Sequence, residues 1–514
     1  MTARIPPVLR PEHPSAKPLT ALATEFALES RGSLDGIEIT GITLSTGDLH
    51  AGDLYVGMPG ANSHGAKYAA QAKAGGAVAV LTDAAGAELA ADTGLPILVV
   101  DSPRAALGAI AAWVYDTNVN PPLRFGTTGT NGKTSVSYLL DGILKQLGRT
   151  TGLSSTAERH IGDLVVVSRL TTPEASEMHA LLARMRESAV DAVVIEVSAQ
   201  ALSRHRVDGI VFDVVGFTNL SHDHLDDYAD MEEYFQAKLP LFQPDRGTRG
   251  VISLDSPYGA RVVEEAGIPV TTISSTPGVV GDWNVDITAE EAAFTAFTLT
   301  APDGRELSSR VPIIGRHMAA NGALAIVMLV EAGFELDEIA AALEKSGGIE
   351  AYLPGRTERV SGDRGPAVFV DFGHSPDAFL NTLAAVRTFT RGKVVMVFGA
   401  DGDRDATKRH EMARVASEGS DILVITDHHP RFENAASIRA TLVEGAHLAE
   451  HEAELHEVSP PESAIRTAVG LAGEGDSILW AGPGHQDYRD IEGVRTPYSA
   501  REEARAALRE AGWA

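Results

Sequence analysis

The chain has 514 residues, enough for about three domains of ordinary size. It carries 43 Lys and Arg against 70 Asp and Glu, and this formal charge of −27 argues against nucleic acid or an anionic membrane as the main partner. The sequence has no cysteine, which excludes disulfides, thiolate metal sites and cysteine nucleophiles.

No signal peptide is predicted from the first residues of the sequence. Residues 1–20 contain basic residues and prolines but not the apolar core of a signal peptide. No apolar run approaches the roughly 20 residues that cross a bilayer. We therefore expect a cytoplasmic protein that has no membrane partner.

Residues 1–120 are predicted to form a small α/β domain. Short apolar runs alternate with Ala-rich helical segments, a pattern typical of strands separated by helices. The strand candidates are 37–44, 53–57, 77–82 and 97–100, and the helix candidates are 67–73 and 104–115. The segment 118–122 (NVNPP) is predicted to be a linker, because its prolines disfavour a continued helix.

The segment 125–135, FGTTGTNGKTS, has the pattern of a phosphate-binding loop. It follows a short apolar run and opens a segment with apolar residues at helical spacing. Glycines let backbone N–H groups approach phosphate oxygens, and a helix N-terminus adds a positive field. Lys133 can reach the outer phosphates of a nucleotide, and the Thr134 hydroxyl can hold Mg²⁺. The general pattern G-x-x-x-x-G-K-[ST] has glycine where this chain has Thr127.

The local form T-G-T-N-G-K-[ST] resembles the ATP loop of the Mur ligase superfamily, which forms amide bonds on peptidoglycan precursors. Later motifs extend the resemblance over nearly the whole chain and point to the MurE type. It implies three α/β domains: 1–120 binding a uridine nucleotide, 121–350 a central P-loop ATPase-type domain, and 351–514 a doubly wound Rossmann-like domain binding the incoming amino acid. The ATP-binding residues implied in the loop are Gly129, Thr130, Asn131, Gly132, Lys133, Thr134 and Ser135.

In the first domain, the resemblance falls on G-D-L-Y at 52–55 and on the loop 60–65. Thr46 stands where the family usually has a serine near the uridine. The same motifs also describe an ordinary turn-rich segment.

In the central domain, the resemblance implies that Thr171, Thr172, Ser198, Arg204 and Arg206 bind the muramoyl-peptide substrate. Arginines suit this task because their forked geometry matches carboxylate and pyrophosphate oxygens.

Metal chemistry is predicted at the ends of two apolar runs of the central domain. The apolar strand predicted within residues 191–198 ends in Glu196. A carboxylate in such a place is costly to bury without a cation. The family implies Mg²⁺ ligands at Thr134, Glu196 and His224, the last in a segment that resembles T-N-x-x-x-D-H-x-D. It also implies that Lys238 carries a carbamate, which requires a lysine whose pKa is lowered. Asn321 matches an adenine-side asparagine.

The C-terminal third alternates strands and helices, with strand candidates 367–371, 394–398, 422–426 and 478–480. This pattern predicts a doubly wound parallel sheet whose ligands lie at the strand C-termini. Asp371 resembles a ribose- or phosphate-side contact of the family. The segment 398–409 matches F-G-x-G-G-D-R-D-x-x-K-R.

The positions that select the amino acid are less regular. Where diaminopimelate-adding enzymes have D-N-P-R, this chain has HHPR at 428–431, and G-K-G-H-E is replaced by GPGHQ at 482–486. A neutral Gln486 should weaken binding of a distal ammonium. We therefore doubt diaminopimelate and leave lysine, ornithine, diaminobutyrate and homoserine open. The amino-acid-binding candidates are Arg404, His428, His429, Arg431, Gly482 and Gln486.

The resemblance implies a ligase of peptidoglycan biosynthesis that uses ATP and two Mg²⁺ ions. It would add the third amino acid to UDP-N-acetylmuramoyl-L-alanyl-D-glutamate through an acyl phosphate, with Lys133, Lys238 and His224 as catalytic residues. We expect a monomer without nucleic acid.

Two alternatives remain. A folylpolyglutamate synthase-like ligase shares the ATP loop but should lack the uridine domain. A non-catalytic nucleotide-binding regulator would explain the departures from three family motifs: from E-V-S-S-H at Ala199 and Gln200, from G-x-[FH]-N-x-x-N at Met318, and from G-K-G-H-E at Pro483 and Gln486.

Overall fold

A computed structural model of the chain describes residues 6–60 and 62–513. Residues 1–5, 61 and 514 lie outside the described residues, so the predicted N-terminus and the predicted loop 60–65 are covered only in part. None of the described helices is both long and apolar enough to span a bilayer.

The N-terminal part of the chain builds a five-stranded sheet in the order β2-β7-β6-β5-β4, parallel except for β2. Its elements are β1 (Lys17–Pro18), α1 (Leu19–Glu25), β2 (Glu29–Arg31), β3 (Glu38–Ile39), β4 (Gly41–Thr43), β5 (Asp53–Gly57), α2 (Ala69–Ala74), β6 (Ala79–Thr82), α3 (Ala84–Ala90), β7 (Ile97–Val99) and α4 (Pro103–Val114).

The central part builds an eleven-stranded sheet in the order β11-β10-β9-β12-β8-β13-β14-β15-β16-β17-β18. Its strands are β8 (Leu123–Thr128), β9 (Thr151–Ser154), β10 (Glu158–Ile161), β11 (Leu164–Val167), β12 (Ala192–Glu196), β13 (Phe212–Phe217), β14 (Gly247–Ser253), β15 (Val270–Ser274), β16 (Trp283–Glu291), β17 (Phe294–Thr300) and β18 (Glu306–Val311). Its helices are α5 (Lys133–Gln146), α6 (Ala175–Glu187), α7 (Ala199–Ser203), α8 (Met231–Lys238), α9 (Pro257–Glu265), α10 (Arg316–Glu331) and α11 (Leu336–Ser346).

The C-terminal part builds a six-stranded sheet in the order β19-β20-β24-β21-β22-β23, parallel except for β19. Its strands are β19 (Glu358–Arg359), β20 (Ala367–Asp371), β21 (Val394–Phe398), β22 (Ile422–Ile425), β23 (Glu454–Glu457) and β24 (Ser477–Ala481), followed by the hairpin β25 (Tyr488–Ile491) and β26 (Val494–Pro497). Its helices are α12 (Pro376–Phe389), α13 (Arg409–Gly419), α14 (Ala435–Ala446), α15 (Pro461–Leu471) and α16 (Ala500–Glu510).

Helices cover both faces of this C-terminal sheet. One apolar cluster joins the sheet to α12, α13 and α14, through residues such as Leu383, Met412 and Leu442. A second joins the opposite face to α15 and α16, through Ile465 and Leu508. The prediction of an α/β protein with a doubly wound sheet is therefore confirmed.

The N-terminal elements differ in detail from the prediction. The predicted helix 67–73 is a 3₁₀ turn, Gly65–Tyr68, followed by α2. The predicted strand 37–44 is divided into β3 and β4. Helix α3 was not predicted; its start is fixed by the Asp83 side chain, which accepts a hydrogen bond from the Gly86 N–H as an N-cap.

The phosphate-loop segment lies at the centre of the largest sheet. Strand β8 pairs in parallel with β12 on one side and with β13 on the other, so that Thr127 lies beside Glu196 and Thr128 beside Phe217. Helix α5 buries its apolar stripe, from Val136 to Leu144, in the core between the sheet and α10. The carboxyl ends of three adjacent strands therefore meet at the loop, as expected for a parallel sheet.

Helix α6 carries a buried histidine that contacts the segments following α4 and α7. The His179 ring lies 2.9 Å from the Thr117 hydroxyl and 2.9 Å from the Asp208 carbonyl oxygen. Burial lowers the pKa of His179 to about 4. The imidazole is therefore neutral in the folded protein near pH 7, where it satisfies both neighbours without a buried charge.

Acidification should destabilise the protein at this site. The unfolded chain takes up a proton on His179 near pH 6.5, but the folded chain does so only near pH 4. The contribution of the neutral His179 to the free energy of unfolding is therefore fully present above pH 6.5 and is lost as the pH falls towards 4. A shift of that size is worth about 3 kcal/mol. We expect His179→Gln to flatten the decline in urea midpoint between pH 6.5 and 4.5. The exposed control His447→Gln should keep the wild-type decline, and an equal decline in His179→Gln would contradict this origin.

Candidate active site

The loop between β8 and α5 can be built only with glycine at two positions. Gly129 has φ +149°, and a Cβ there would lie 1.9 Å from the Thr218 hydroxyl oxygen. Gly132 has φ +89°, and a Cβ there would lie 2.8 Å from the Asn321 side-chain oxygen. Thr127, by contrast, is inside β8 with ordinary strand pairing, so glycine is not required at that position.

Lys133 begins α5 and folds back over the loop. Its Nζ donates hydrogen bonds to the carbonyl oxygens of Gly129 at 3.1 Å and Thr130 at 2.9 Å. Burial lowers the pKa of Lys133, while the nearby carboxylates of Glu196 and Asp223 partly oppose the shift. The ammonium thus lies beside the backbone N–H groups that would face phosphate oxygens.

Glu196 ends β12 beside the loop and is 2 % exposed. Its carboxylate accepts hydrogen bonds from the Thr134 hydroxyl at 3.0 Å and from the Thr156 hydroxyl and N–H at 2.9 and 2.8 Å. Among the described residues it forms no ion pair. A buried carboxylate next to a hydroxyl is an oxygen donor set that suits Mg²⁺.

Lys238 reaches the same loop from the end of α8. Its Nζ donates to the Gly129 carbonyl oxygen at 2.9 Å and lies 4.3 Å from the centre of the Tyr234 ring. Burial, reinforced by the positive charge of Lys133, lowers the pKa of Lys238 well below its usual value. A lowered pKa favours the unprotonated amine, which is the form that carbamate formation requires.

His224 lies in the segment that follows β13. Burial is the main cause that lowers the pKa of His224 to about 4, and Lys133 and Lys238 contribute in the same direction. The ring contacts the Gln200 amide nitrogen through Nδ1 at 3.0 Å. His224, Lys133 and Lys238 therefore belong to one electrostatic cluster at the loop.

The C-terminal domain contacts this loop directly. Asn131 donates to the Asp377 carboxylate at 3.0 Å, and the Arg356 guanidinium donates to the Thr134 hydroxyl at 2.8 Å. Lys408 forms a buried ion pair with Asp223 at 2.6 Å. The carboxyl edges of the central and C-terminal sheets thus face each other across the phosphate loop.

Comparison with known proteins agrees with this arrangement. The models of the Mur ligase middle domain, the Mur ligase glutamate ligase domain and the Mur ligase family catalytic domain match residues 127–329, 355–484 and 35–115. A protein of Leifsonia xyli subsp. xyli named UDP-N-acetylmuramyl-tripeptide synthetase is 62% identical over 513 residues, which is 100% of each chain. This chain belongs to the Mur ligase family.

Two further Mur ligases extend the comparison. A Streptomyces avermitilis protein named UDP-N-acetylmuramoyl-L-alanyl-D-glutamate--2,6-diaminopimelate ligase is 43% identical and covers 99% of each chain. A solved structure of a ligase with the same name is 24% identical, with a TM-score of 0.66 over 97% of this chain and 100% of the other. At that identity, the structure supports the Mur ligase fold alone.

The predicted substrate residues of this Mur ligase fall in two groups. Thr172 lies at the loop: its hydroxyl donates to the Glu196 carbonyl oxygen at 2.7 Å and accepts from the Ser198 N–H at 3.1 Å. Thr171 lies next to it, 3.0 Å from the Thr156 hydroxyl. Arg206 and Arg204 instead form ion pairs, with Glu174 at 3.0 Å and Asp227 at 2.8 Å. Thr46 lies in a turn after β4, in the N-terminal domain.

The predicted nucleotide contacts of the second half of the chain lie at the domain junction. Asn321 is 8 % exposed on α10 and faces Gly132 of the phosphate loop. Asp371 ends β20 and accepts hydrogen bonds from the Thr357 N–H at 2.7 Å and the Gly373 N–H at 2.6 Å. Arg404, which was predicted to bind the amino acid, is exposed in the loop after β21.

Four of the predicted amino-acid-binding residues converge at the ends of β22 and β24. His429 lies 2.8 Å from the Gln486 side-chain oxygen, and Gly482 lies beside the His428 ring. Burial, helped by the neighbouring His428, lowers the pKa of His429 to about 4. Arg431 lies 3.5 Å from Asp401, a residue that the sequence analysis did not single out.

Sequence reasoning missed several residues of this site. Thr156 bonds Glu196 but follows no motif, so no signal in the sequence could have found it. Lys408 lies in a family motif of the C-terminal domain, Arg356 resembles the arginine of the family's G-R-x-E, and Asp377 resembles the last residue of its D-Y-A-H-x-P-D, yet the contacts of all three with the central domain depend on how the domains meet. Asp401 had a signal: it stands where the family motif F-G-x-G-G-D-R-D has glycine.

Proposed function

We propose that this Mur ligase is an ATP-dependent acid–amino-acid ligase that adds the third amino acid to UDP-N-acetylmuramoyl-L-alanyl-D-glutamate. The observation that carries the proposal is the 62% identity, over the full length of both chains, with a protein named UDP-N-acetylmuramyl-tripeptide synthetase. The phosphate loop facing the C-terminal domain supports it, because nucleotide and amine must meet at one place.

The reaction needs activation of a carboxylate. A carboxylate does not react with an amine at neutral pH, since oxide is a poor leaving group. ATP would transfer its terminal phosphoryl group to the substrate carboxylate, and the amine would then displace phosphate from the acyl phosphate. Lys133 and the loop N–H groups would bind and orient the phosphates, and domain contacts would place the reactants together.

Two Mg²⁺ ions fit the residues at the loop. Thr134 and Glu196 offer oxygen ligands for one ion, and His224 with a carbamate on Lys238 would hold the other. Bound there, the ions would neutralise charge on the transferring phosphoryl group. Independently of the ions, His224 would be a neutral imidazole at pH 7, as a metal ligand requires.

Substrate positions follow from the sites already described. We assign the uridine nucleotide to the N-terminal domain near Thr46, and the muramoyl peptide to Thr171, Thr172, Ser198, Arg204 and Arg206. Arg204 and Arg206 would exchange their present carboxylate partners for substrate anions. We further propose a cytoplasmic monomer, which needs no second chain to complete the loop.

The substrate class is tested by phosphate release. We expect the purified protein to release phosphate from ATP with UDP-muramoyl-dipeptide and a basic amino acid, and to form a product of the summed mass less water. A folate substrate with glutamate should give less than about a hundredth of that rate, because rejecting a substrate that leaves polar groups unpaired is worth several kcal/mol. Turnover with folate alone would favour the folylpolyglutamate alternative. Absence of any turnover would favour the non-catalytic regulator.

A further inference from the structure

Departures from the family motifs in the C-terminal domain contact one another in pairs. Asp401 stands in place of a motif glycine and His428 in place of a motif aspartate, and these two side chains are 2.7 Å apart. His429 replaces asparagine and Gln486 replaces glutamate, and these are 2.8 Å apart. The four residues come from three separate loops, so the changes form one altered site.

The His429–Gln486 pair gives the Gln486 amide a partner inside the protein, and position 486 offers no charged acceptor for an ammonium. The Asp490 N–H donates to His429 Nδ1 at 3.1 Å, so the ring proton is on Nε2 and donates to the Gln486 oxygen. The Gln486 amide nitrogen lies 3.4 Å from the Tyr488 hydroxyl. Both ends of the amide therefore have partners within the protein.

The Asp401–His428 pair presents an acceptor instead. The Asp401 carboxylate accepts from His428 Nδ1–H at 2.7 Å, and in this tautomer of an imidazole the acceptor lone pair is on Nε2. This Nε2 is buried and has no hydrogen-bond partner among the described residues. Gly482 leaves the ring edge open, since even a Cβ at that position would lie 3.8 Å from Nε2.

Space and charge at His428 restrict what can bind there. His428 lines a cavity of about 10 Å³, together with proline and aromatic side chains and with the charged residues Asp427 and Arg489. That is close to the room one water molecule needs, and an ammonium group is of similar size. Asp401 also lies 3.5 Å from Arg431 and so partly neutralises a cation that would otherwise attract a second carboxylate.

We propose that Asp401 and His428 form an acceptor pair that selects a third amino acid with one carboxylate and a side-chain amine. The family motifs have a carboxylate at position 486 and glycine at position 401, whereas this chain has a neutral residue at 486 and a carboxylate at 401. The two positions lie on opposite sides of the His428–His429 ring pair, whose centres are 4.1 Å apart. This inference rests on the proposed function and names the substrate class of the same site.

The first test compares amino acids on the wild-type protein, with ATP and UDP-muramoyl-dipeptide. Homoserine and 2,4-diaminobutyrate differ only in a terminal hydroxyl against an ammonium, and meso-diaminopimelate adds a second carboxylate to a diamino chain. We expect kcat/KM for the best of diaminobutyrate, ornithine and lysine to exceed those of homoserine and meso-diaminopimelate by at least about tenfold, the value of one charged hydrogen bond. Equal or better use of homoserine or meso-diaminopimelate overturns the inference. Failure of every amino acid to give product overturns the proposed function instead.

The second test removes the charge of residue 401. Asp401→Asn keeps the shape of the side chain, and we expect the KM for the preferred diamino acid to rise about tenfold while the KM for ATP is unchanged. The preference over homoserine should fall in parallel. Glu411→Gln, which removes a carboxylate paired with Arg414 on the surface of α13, is the matched control and should keep wild-type values. An unchanged preference in Asp401→Asn overturns the role of Asp401.

Discussion

Replacing Lys133 by alanine is expected to lower kcat by about a thousandfold. The Lys133 side chain contacts the loop that we propose to bind the phosphates, and loss of one electrostatic contact in an enclosed site commonly costs two to three orders of magnitude, or about 3 to 4 kcal/mol. The measurement is phosphate release at saturating ATP and UDP-muramoyl-dipeptide.

A matched variant separates this effect from damage to the helix. Lys145→Ala changes a half-exposed lysine in the last turn of the same helix α5 and should retain wild-type kcat. Loss of the Lys133 side chain should leave the affinity for UDP-muramoyl-dipeptide unchanged, since the residues that we assign to this substrate do not include Lys133. Wild-type product formation by Lys133→Ala would contradict the proposed role of the phosphate loop.

Replacing Lys238 by alanine is expected to reduce kcat by about a hundredfold or more, since it would remove the proposed metal ligand and a buried group that contacts the phosphate loop. Its Nζ donates a hydrogen bond to the Gly129 carbonyl oxygen, which also accepts one from Lys133. If the active form is a carbamate, the wild-type protein should also lose activity in CO₂-free buffer and regain it with bicarbonate. A carbamate resonance should follow addition of ¹³C-labelled bicarbonate and be missing in Lys238→Ala.

Lys345→Ala serves as the control for this lysine. Lys345 is exposed in the last turn of α11, so its loss should alter neither kcat nor the response to bicarbonate. Two results would contradict the carbamate: full activity of Lys238→Ala, or wild-type activity that does not depend on CO₂. If Lys238→Ala is inactive but the activity of the wild-type protein does not depend on bicarbonate, the functional group is the lysine itself and not its carbamate.

The phosphate loop and the C-terminal sheet could be predicted from the sequence because their signals are local. Loop geometry requires glycine at 129 and 132, and the spacing of apolar residues fixes a helix directly after Lys133. Short apolar runs in the last third of the chain indicate parallel strands. Asp371 is the last residue of one of these strands, and His428 lies in the loop that follows another. The elements near the N-terminus were less predictable, since short Ala-rich segments have weak periodicity.

The sequence by itself determined the pattern of the phosphate loop and the alternation of strands and helices that defines the fold class, because each depends on neighbours only a few positions away. Only the tertiary structure decided which residues of the site meet. Asp223 and Lys408 are 185 positions apart and yet form a buried ion pair, and Asp401 meets His428 from a different strand end. Such contacts depend on the order of strands in a sheet and on how two sheets face each other, and neither property is encoded in local spacing.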